Sequence, residues 1–235
     1  DAEDFFDFTV ARPNVCIDDN DTRQIVWPST GIHVARVPGS AHDLVCALGH
    51  EPQLRWRTFV DHLAITAEAF GASMVCTLGA LLTDVPHTRP TRLSCTAGSP
   101  EMTDRLDFVT ATLEVPAGVQ AVIEMATSGA GIPSIGLWAQ VPHYLAASSY
   151  PPAALALLKG LGELTGVSFG DGPLAESALA TLARLDDLVT RNPEHVTMLE
   201  KLESAYDDLH DMRGQLPDGE QLAAELERYL RSHDD

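Results

Sequence analysis

SMVCTLGALL (73–82) and IPSIGLWAQV (132–141) are the two stretches that decide the fold. Both are continuous apolar runs without charged residues, which is typical of strands in a parallel sheet that are covered on both faces. The shorter run HDLVCALG (42–49) is interpreted in the same way. Residues 53–70 and 117–128 carry apolar side chains at helical spacing, and helices alternating with strands predict an α/β fold with a mainly parallel sheet.

The region before these strands, residues 5–37, has the character of a β-hairpin. Apolar and β-branched segments flank Asp18-Asp19-Asn20-Asp21, a cluster of residues that favour turns. Pro13 and Pro28 have no backbone N–H to donate, and this pushes the flanking strands towards an edge of the sheet. We therefore predict an edge hairpin in this region.

Only helical periodicity follows Pro152. The predicted helices cover four stretches: 151–165, 173–191, 196–209 and 222–230. A break at Asn192-Pro193 and a turn at 215–219 separate the last three stretches. We expect two units: an α/β core over residues 1–165, which includes the hairpin region 5–37, and a C-terminal helical lid over residues 173–235.

The chain of 235 residues is strongly acidic, with 34 acidic and 15 basic residues and a net charge of −19. That field repels a phosphate backbone, so nucleic acid is not expected as a partner. No apolar run reaches the roughly 18 residues that span a bilayer, and no signal peptide opens the sequence. We therefore expect a cytoplasmic protein that does not enter membranes. Since the first residue is not methionine, we also expect further residues upstream of it.

The usual signatures of metal, cofactor and nucleophile sites are missing from the sequence. There is no Cys-x-x-Cys pair, and Cys46 and Cys76 lie within apolar runs, where a thiol behaves as a small buried hydrophobe. Gly-x-Ser-x-Gly, the phosphate-binding loop, His-Glu-x-x-His and the dinucleotide fingerprint are also absent. We predict no cofactor and no metal, and the catalytic residues remain unassigned.

Polar residues follow all three apolar runs directly. Gly49-His50-Glu51-Pro52 follows the first run, and Val-Pro-His follows each of the other two, ending at His87 and His143. Because ligands bind at the carboxyl edge of an open parallel sheet, we expect Glu51, His87, Arg89 and His143 to surround one ligand pocket.

Each of these residues also has a structural interpretation. A histidine after a strand can simply cap backbone groups, and Glu51 can complement the dipole of the helix that follows. Arg89 favours an anionic ligand such as a carboxylate or phosphate, or else it forms an internal salt bridge. The three histidines and Glu51 could bind zinc, but their sequence spacing does not indicate it.

Several blocks of this sequence resemble the bacterial, mainly actinobacterial, branch of the proteasome-assembly-chaperone family. They run nearly from end to end: Asp7-Phe8…Arg12-Pro13, Val26-Trp27-Pro28, Gly49-His50-Glu51-Pro52…Arg55-Trp56-Arg57, Leu78 to Pro90, Leu137 to Tyr144, and Ala224 to Leu230. The resemblance implies a three-layer phosphorylase- or hydrolase-like core, a hairpin used in oligomerisation, a homotrimer, and a helical lid over a pocket. It implies no known reaction.

Three departures from the family pattern affect the site. Relatives carry an upstream strand and turn, so we expect that part of the pocket comes from residues outside this sequence. The turn at Glu114–Gly118 is poorer in glycine than in relatives, which argues against a phosphate cradle there. Position 50 varies among relatives, which makes Glu51 a better ligand candidate than His50.

Three functions remain open at this stage. The first is an uncharacterised homo-oligomeric protein with a ligand pocket under a helical lid. The second is a hydrolase- or phosphorylase-like enzyme for a small anionic substrate, in which His87 or His143 is the general base and Arg89 holds the anion. The third is an assembly chaperone that binds a partner protein through its surface.

Overall fold

Two antiparallel two-stranded sheets come first in the chain. The computed structural model describes residues 1–17, 21–97, 117–170 and 172–214. Four strands form these sheets: β1 (Asn14–Ile17) with β2 (Arg23–Val26), and β3 (Thr30–Ala35) with β4 (Leu44–Gly49). β1 and β2 confirm a hairpin around the predicted turn, but it is shorter than predicted, because residues 30–35 form β3 and pair with β4. Of its predicted turn, residues 18–20 lie outside the described residues, and Asp21 has a φ of 58°, the left-handed conformation that aspartate tolerates in turns.

The prediction for residues 42–49 was wrong in two respects. β4 is not a strand of a parallel sheet but the antiparallel partner of β3, and most of its side chains are exposed. Cys46, expected to be buried, is exposed. A short apolar run does not specify its pairing partner, and it is buried only where another layer covers it.

The central sheet contains β5 (Val75–Thr83), β6 (Leu93–Ala97) and β7 (Ser134–Pro142) in the order β5-β7-β6. β5 and β7 are parallel, as predicted, with Val75 opposite Ser134 and Thr83 opposite Pro142, whereas β6 is antiparallel to β7. Because β7 has a strand on each side, its side chains form the centre of the core, and those of Ile135, Leu137 and Ala139 are wholly buried.

Among the described strands, β5 lies at one edge of this sheet. Leu78, Leu81 and Leu82 keep 40–52% of their surface exposed, so the prediction that β5 is covered on both faces was wrong. A nine-residue apolar edge strand without a charge or a proline is unusual, because proteins normally protect such edges from pairing with other chains.

In the described part of the chain, five α-helices pack around the strands: α1 (Trp56–Ala69), α2 (Val119–Gly129), α3 (Pro151–Thr165), α4 (Gly172–Thr190) and α5 (Pro193–Gly214). α2 covers the face of β7 that carries Gly136, while Leu157 and Leu161 of α3 pack against Ile135 and Leu137 on the opposite face. α1 packs on α2, α4 on α3, and α5 on α4.

The structure is therefore α/β, as predicted, but its central sheet is mixed and not mainly parallel, since the described strands form one parallel and one antiparallel pair there. The helix predictions at 53–70, 117–128, 151–165 and 173–191 hold within a few residues. α5 begins at Pro193, at the predicted break. The predicted helix 222–230 and most of the turn at Glu114–Gly118 lie outside the described residues. The division into a core and a lid stays a prediction, as does the likeness to phosphorylases. None of the described helices is long and apolar enough to cross a bilayer.

Candidate functional site

His87 is buried directly after β5, and both nitrogens of its ring have partners. Nδ1 lies 2.7 Å from the hydroxyl of Tyr144, and Nε2 lies 3.2 Å from Oδ1 of Asp186 on α4. The same hydroxyl accepts the backbone N–H of His87 at 2.9 Å. A neutral ring that accepts the proton of this hydroxyl at Nδ1 donates its Nε2–H to Asp186, and this tautomer satisfies all three groups.

Arg89 follows two residues later and points at α5. Its Nε and Nη2 bind the two carboxylate oxygens of Asp207 at 2.9 and 2.6 Å, and its Nη1 binds Glu203 at 3.2 Å. Two carboxylates beside a guanidinium raise the pKa of Arg89, chiefly through the hydrogen bonds to Asp207. The internal salt bridge is therefore the interaction that the structure shows.

His143 lies directly after β7, next to the end of β5. Its Nδ1 is 3.0 Å from Oδ1 of Asp84, and both side chains are exposed, 46% for the histidine and 86% for the aspartate. Tyr144 stands between the two histidines, and its ring contacts His143 and His87 edge to face at 5.5 and 6.0 Å. The structure thus brings His87 and His143 to one tyrosine.

Glu51 lies at a helix terminus. Its Oε1 accepts the backbone N–H of Val119 at 2.8 Å, at the first residue of α2. This bond satisfies one of the free amides at the start of the helix and sets a negative charge at the positive end of its dipole. No described contact joins Glu51 to His87, Arg89 or His143. His50 is exposed beside it.

The two most prominent depressions in the described part of the chain do not unite the four predicted residues. The space beside Arg89, between Pro86, Pro142, Tyr150 and Tyr206, has no room for a water molecule. A larger depression of about 580 Å³ lies open on α5, where Pro193, Met198 and Leu202 line it, and none of the four predicted residues belongs to its wall.

Sequence reasoning missed the partners of these residues. Tyr144, Asp84 and Asp186 bind the two histidines, but Asp186 lies 99 residues away from His87 in the sequence, so spacing gives no signal for it. Tyr144 directly follows the second Val-Pro-His block, which places a phenol beside the histidine. Burial raises the pKa of its hydroxyl to about 12.

A buried carboxylate, Glu124 of α2, was also missed. Only 4% of it is exposed, and it accepts hydrogen bonds from the hydroxyls of Thr77 on β5 and Thr96 on β6. It lies over Gly136, where a Cβ atom would stand 2.3 Å from its Oε1. The glycine between apolar residues of β7 is the sequence signal that a neighbouring group approaches the strand closely.

The chemistry open to these groups differs. Tyr144, His87 and Asp186 have the connectivity of a nucleophile, a base and an orienting acid, but the raised pKa of the tyrosine and the burial of the histidine oppose activation. These hydrogen bonds therefore hold the loop after β5 against α4.

His143 keeps part of its ring exposed while Asp84 orients it, which suits proton transfer or anion binding. Among the described residues, no three side chains of the kinds that bind metal ions cluster together.

Comparison with known proteins shows relatives over most of the chain. The model of the PAC2 family matches residues 1–189. A PAC2 family protein from Streptomyces avermitilis is 40% identical, with a TM-score of 0.78 over 85% of this chain and 84% of that one. A proteasome-assembly chaperone homologue from Mycobacterium tuberculosis is 34% identical, with a TM-score of 0.76 over 84% of each chain.

A more distant archaeal likeness concerns the fold alone. An archaeal proteasome activator from Pyrococcus furiosus is 16% identical, with a TM-score of 0.59 over 74% of this chain and 76% of that one. The comparison with curated proteins finds no match.

Proposed function

The chain belongs to the PAC2 family, which is related to proteasome-assembly chaperones, and from this we propose that it is a self-associating, protein-binding module. The observation that carries the proposal is that apolar side chains on both faces of β1 to β4, and Trp27 between β2 and β3, are exposed. Between 39% and 64% of each of these side chains is exposed: Val15, Ile17, Ile25, Val26, Trp27, Ile32, Val34, Val45 and Leu48. We call this set the apolar strand surface.

The apolar strand surface needs a partner for physical reasons. β1 and β2 contact chiefly each other, as do β3 and β4. A two-stranded sheet is at best marginally stable when water surrounds it, and it gains stability when another layer covers its apolar side chains. The unpaired edges of its strands also offer backbone groups to a further chain.

A second copy of the chain is the proposed occupant of this surface, and a homotrimer is the proposed assembly. The trimer follows from the family resemblance, and the exposed strands supply the surface it requires. A chaperone role would use the same property, because a partner protein can cover the apolar side chains that a second copy leaves exposed.

The four free thiols fit a reducing compartment, and a cytoplasmic location is part of the proposal.

One pair of variants tests the proposal. Ile25→Asp places a charge on the apolar strand surface, while Ile65→Asp places one on α1, where the isoleucine is 60% exposed, close to the 56% of Ile25. We expect sedimentation velocity to show dissociation of the first variant and an unchanged assembly for the second. Equal behaviour of both variants would show that β1 and β2 do not form the interface.

A second candidate function is binding of a small anion at the carboxyl edge of β5 and β7. The proposed ligand-binding residues are Glu51, His87, Arg89 and His143. The exposed His143–Asp84 pair favours this candidate, because an oriented histidine with an accessible ring can hold an anion or act as a general base in a hydrolase or phosphorylase reaction. The burial of His87 limits it to a positioning role.

Thermal-shift measurements test the second candidate. Metabolites, nucleotides and inorganic phosphate would be compared on wild type, His143→Ala and the control His42→Ala. His42 is an exposed histidine between β3 and β4, outside the central sheet. We expect a ligand that raises the Tm of wild type and of the control but not of His143→Ala. A ligand that acts equally on all three proteins would rule out His143 as a contact.

A further inference from the structure

We propose that the loop after β5 (residues 84–92) carries a carboxylate- or phosphate-binding site centred on Arg89, and that Glu203 and Asp207 of α5 occupy this site from within the same chain. Binding of an external anion and docking of α5 are then mutually exclusive. This inference rests on the second candidate function and is independent of self-association.

The geometry at Arg89 is that of a bound ligand. Nε and Nη2 form two parallel hydrogen bonds to the carboxylate of Asp207, the fork arrangement by which arginine recognises a carboxylate or a phosphate. A third nitrogen, Nη1, and the hydroxyl of Thr88 both donate to Oε1 of Glu203. Four donors from two adjacent residues of one loop thus converge on two carboxylates.

Further polar contacts hold α5 to the loop. Besides the bonds of Arg89, the hydroxyl of Tyr206 donates to the backbone oxygen of Pro90 at 3.1 Å, and the guanidinium of Arg92 lies 4.4 Å from the centre of the Tyr206 ring. The helix joins α4 through the short break at Asn192. It also lies beyond residues 1–189, which the family model matches.

Replacement of the α5 carboxylates at Arg89 by an external anion costs little electrostatic free energy. Half of Asp207 and about a quarter of Glu203 are exposed (51% and 27%), so both can return to water. Solvent and salt screen these partly exposed pairs, and an external anion that forms the same fork with Arg89 replaces what they contribute. An external anion would keep the guanidinium paired while α5 leaves, so no charge becomes buried without a partner.

Phosphate is the probe, and the double substitution Glu203→Gln with Asp207→Asn is the variant. These substitutions keep the shape of both side chains but remove the charges that hold Arg89. At phosphate concentrations well above Kd, we expect the Tm of this variant to rise by about 2–4 °C relative to chloride of equal ionic strength. The rise should be smaller in wild type and absent when Arg89→Gln is added.

Hydrogen exchange on the wild-type protein gives a second measurement that needs no variant. Phosphate should accelerate exchange of amides in residues 196–208 relative to chloride, while amides of β7 stay unchanged. A double variant that phosphate stabilises no more than wild type, or as much with Arg89→Gln as without it, would overturn the proposal. So would wild-type exchange in 196–208 that phosphate slows or leaves unchanged.

The outcome separates this proposal from the candidate function on which it rests. If phosphate acts through Arg89 while His143→Ala leaves all ligand binding intact, the site after β5 stands and the role of His143 fails. If a ligand requires His143 but the effect of phosphate on the Tm does not depend on Arg89, the carboxylates of α5 are structural and the present proposal fails.

Discussion

His87 and His143 are held in opposite ways. The ring of His87 is enclosed and bonded at both nitrogens, to Tyr144 and to Asp186. The ring of His143 is half exposed and bonded to Asp84 at one nitrogen. Loss of a buried group that satisfies two polar partners costs more than loss of an exposed one, so the two histidines should differ in their contribution to stability.

Substitution of each histidine by alanine tests this difference. We expect His87→Ala to lower the free energy of unfolding by about 2–3 kcal/mol, because it leaves a buried gap and removes the partner of Tyr144. His143→Ala should change it by less than about 1 kcal/mol. Urea denaturation of both variants measures the difference, and equal losses would contradict the assigned burial.

The thiol of Cys76 makes stability depend on alkaline pH. Burial, with a smaller effect from Glu124, raises its pKa from 9.0 to about 12. The folded protein therefore keeps the thiol proton between pH 9 and 12, whereas the unfolded chain loses it. Ionisation favours the unfolded state in that window, so this contribution to stability is complete below pH 9 and is lost as pH rises towards 12.

We expect Cys76→Ala to flatten the fall in stability above pH 9. Each pH unit in that window costs the wild-type protein up to about 1.4 kcal/mol that the variant does not lose. Cys16→Ala, at an exposed thiol of β1, is the control and should keep the wild-type slope. Urea titrations at several pH values decide the matter, and identical slopes for all three proteins would contradict the burial of Cys76.

The residues themselves could be found in the sequence, but their environments could not. Val-Pro-His placed both histidines correctly at the ends of parallel strands. Nothing in the two identical tripeptides says that α4 covers one and leaves the other exposed. That difference comes from Asp186, which only the fold brings near His87, just as α5 turns Arg89 from a free cation into a paired one.

At the scale of elements, the packing of α2 against the central sheet depends on Gly136, which has no side chain. A Cβ atom on Gly136 would lie 2.3 Å from Glu124 and 2.5 Å from the hydroxyl of Thr96. Either the carboxylate moves off its two threonine hydroxyls or the helix shifts away from the strands. Both responses weaken the packing of α2.

Gly136→Ala should therefore destabilise the protein by about 1–3 kcal/mol, the range for overpacking in a core. Gly129→Ala, at the end of α2, is the matched control, since a Cβ atom there meets nothing within 4 Å. It should be neutral or stabilising by up to about 1 kcal/mol, because alanine favours a helix over glycine. Thermal unfolding compares the two, and a neutral Gly136→Ala would contradict the close approach of Glu124.

Helices and strands differed in how well they could be predicted. The helices were found because their apolar spacing and their terminal glycines and prolines are local features. β7 was found as a buried strand since it is flanked on both sides. β4 and β5 have equally apolar sequences, but one pairs with β3 and the other lies at an edge, and strand order is a long-range property that an apolar run does not encode.

At the scale of the whole molecule, apolar strands coexist with a net charge of −19. Like charges oppose association at long range, but screening at physiological salt confines that repulsion to about 8 Å. Burial of the apolar strand surface acts at contact and favours assembly. The sequence predicted the hairpin, but among the described strands β1 and β2 form a two-stranded sheet of their own and not the edge of a larger sheet. The extent of the exposed surface depends on how little of β1–β4 the helices cover.

The mass of the wild-type protein in solution shows directly whether copies of the chain associate. Light scattering coupled to size-exclusion chromatography, at micromolar concentration and physiological salt, measures it without a variant or a ligand. We expect the mass of three copies of the 25.3 kDa chain, about 76 kDa. A mass of 25.3 kDa that persists at higher concentration would contradict it, because the apolar strand surface would then be stable in water on its own.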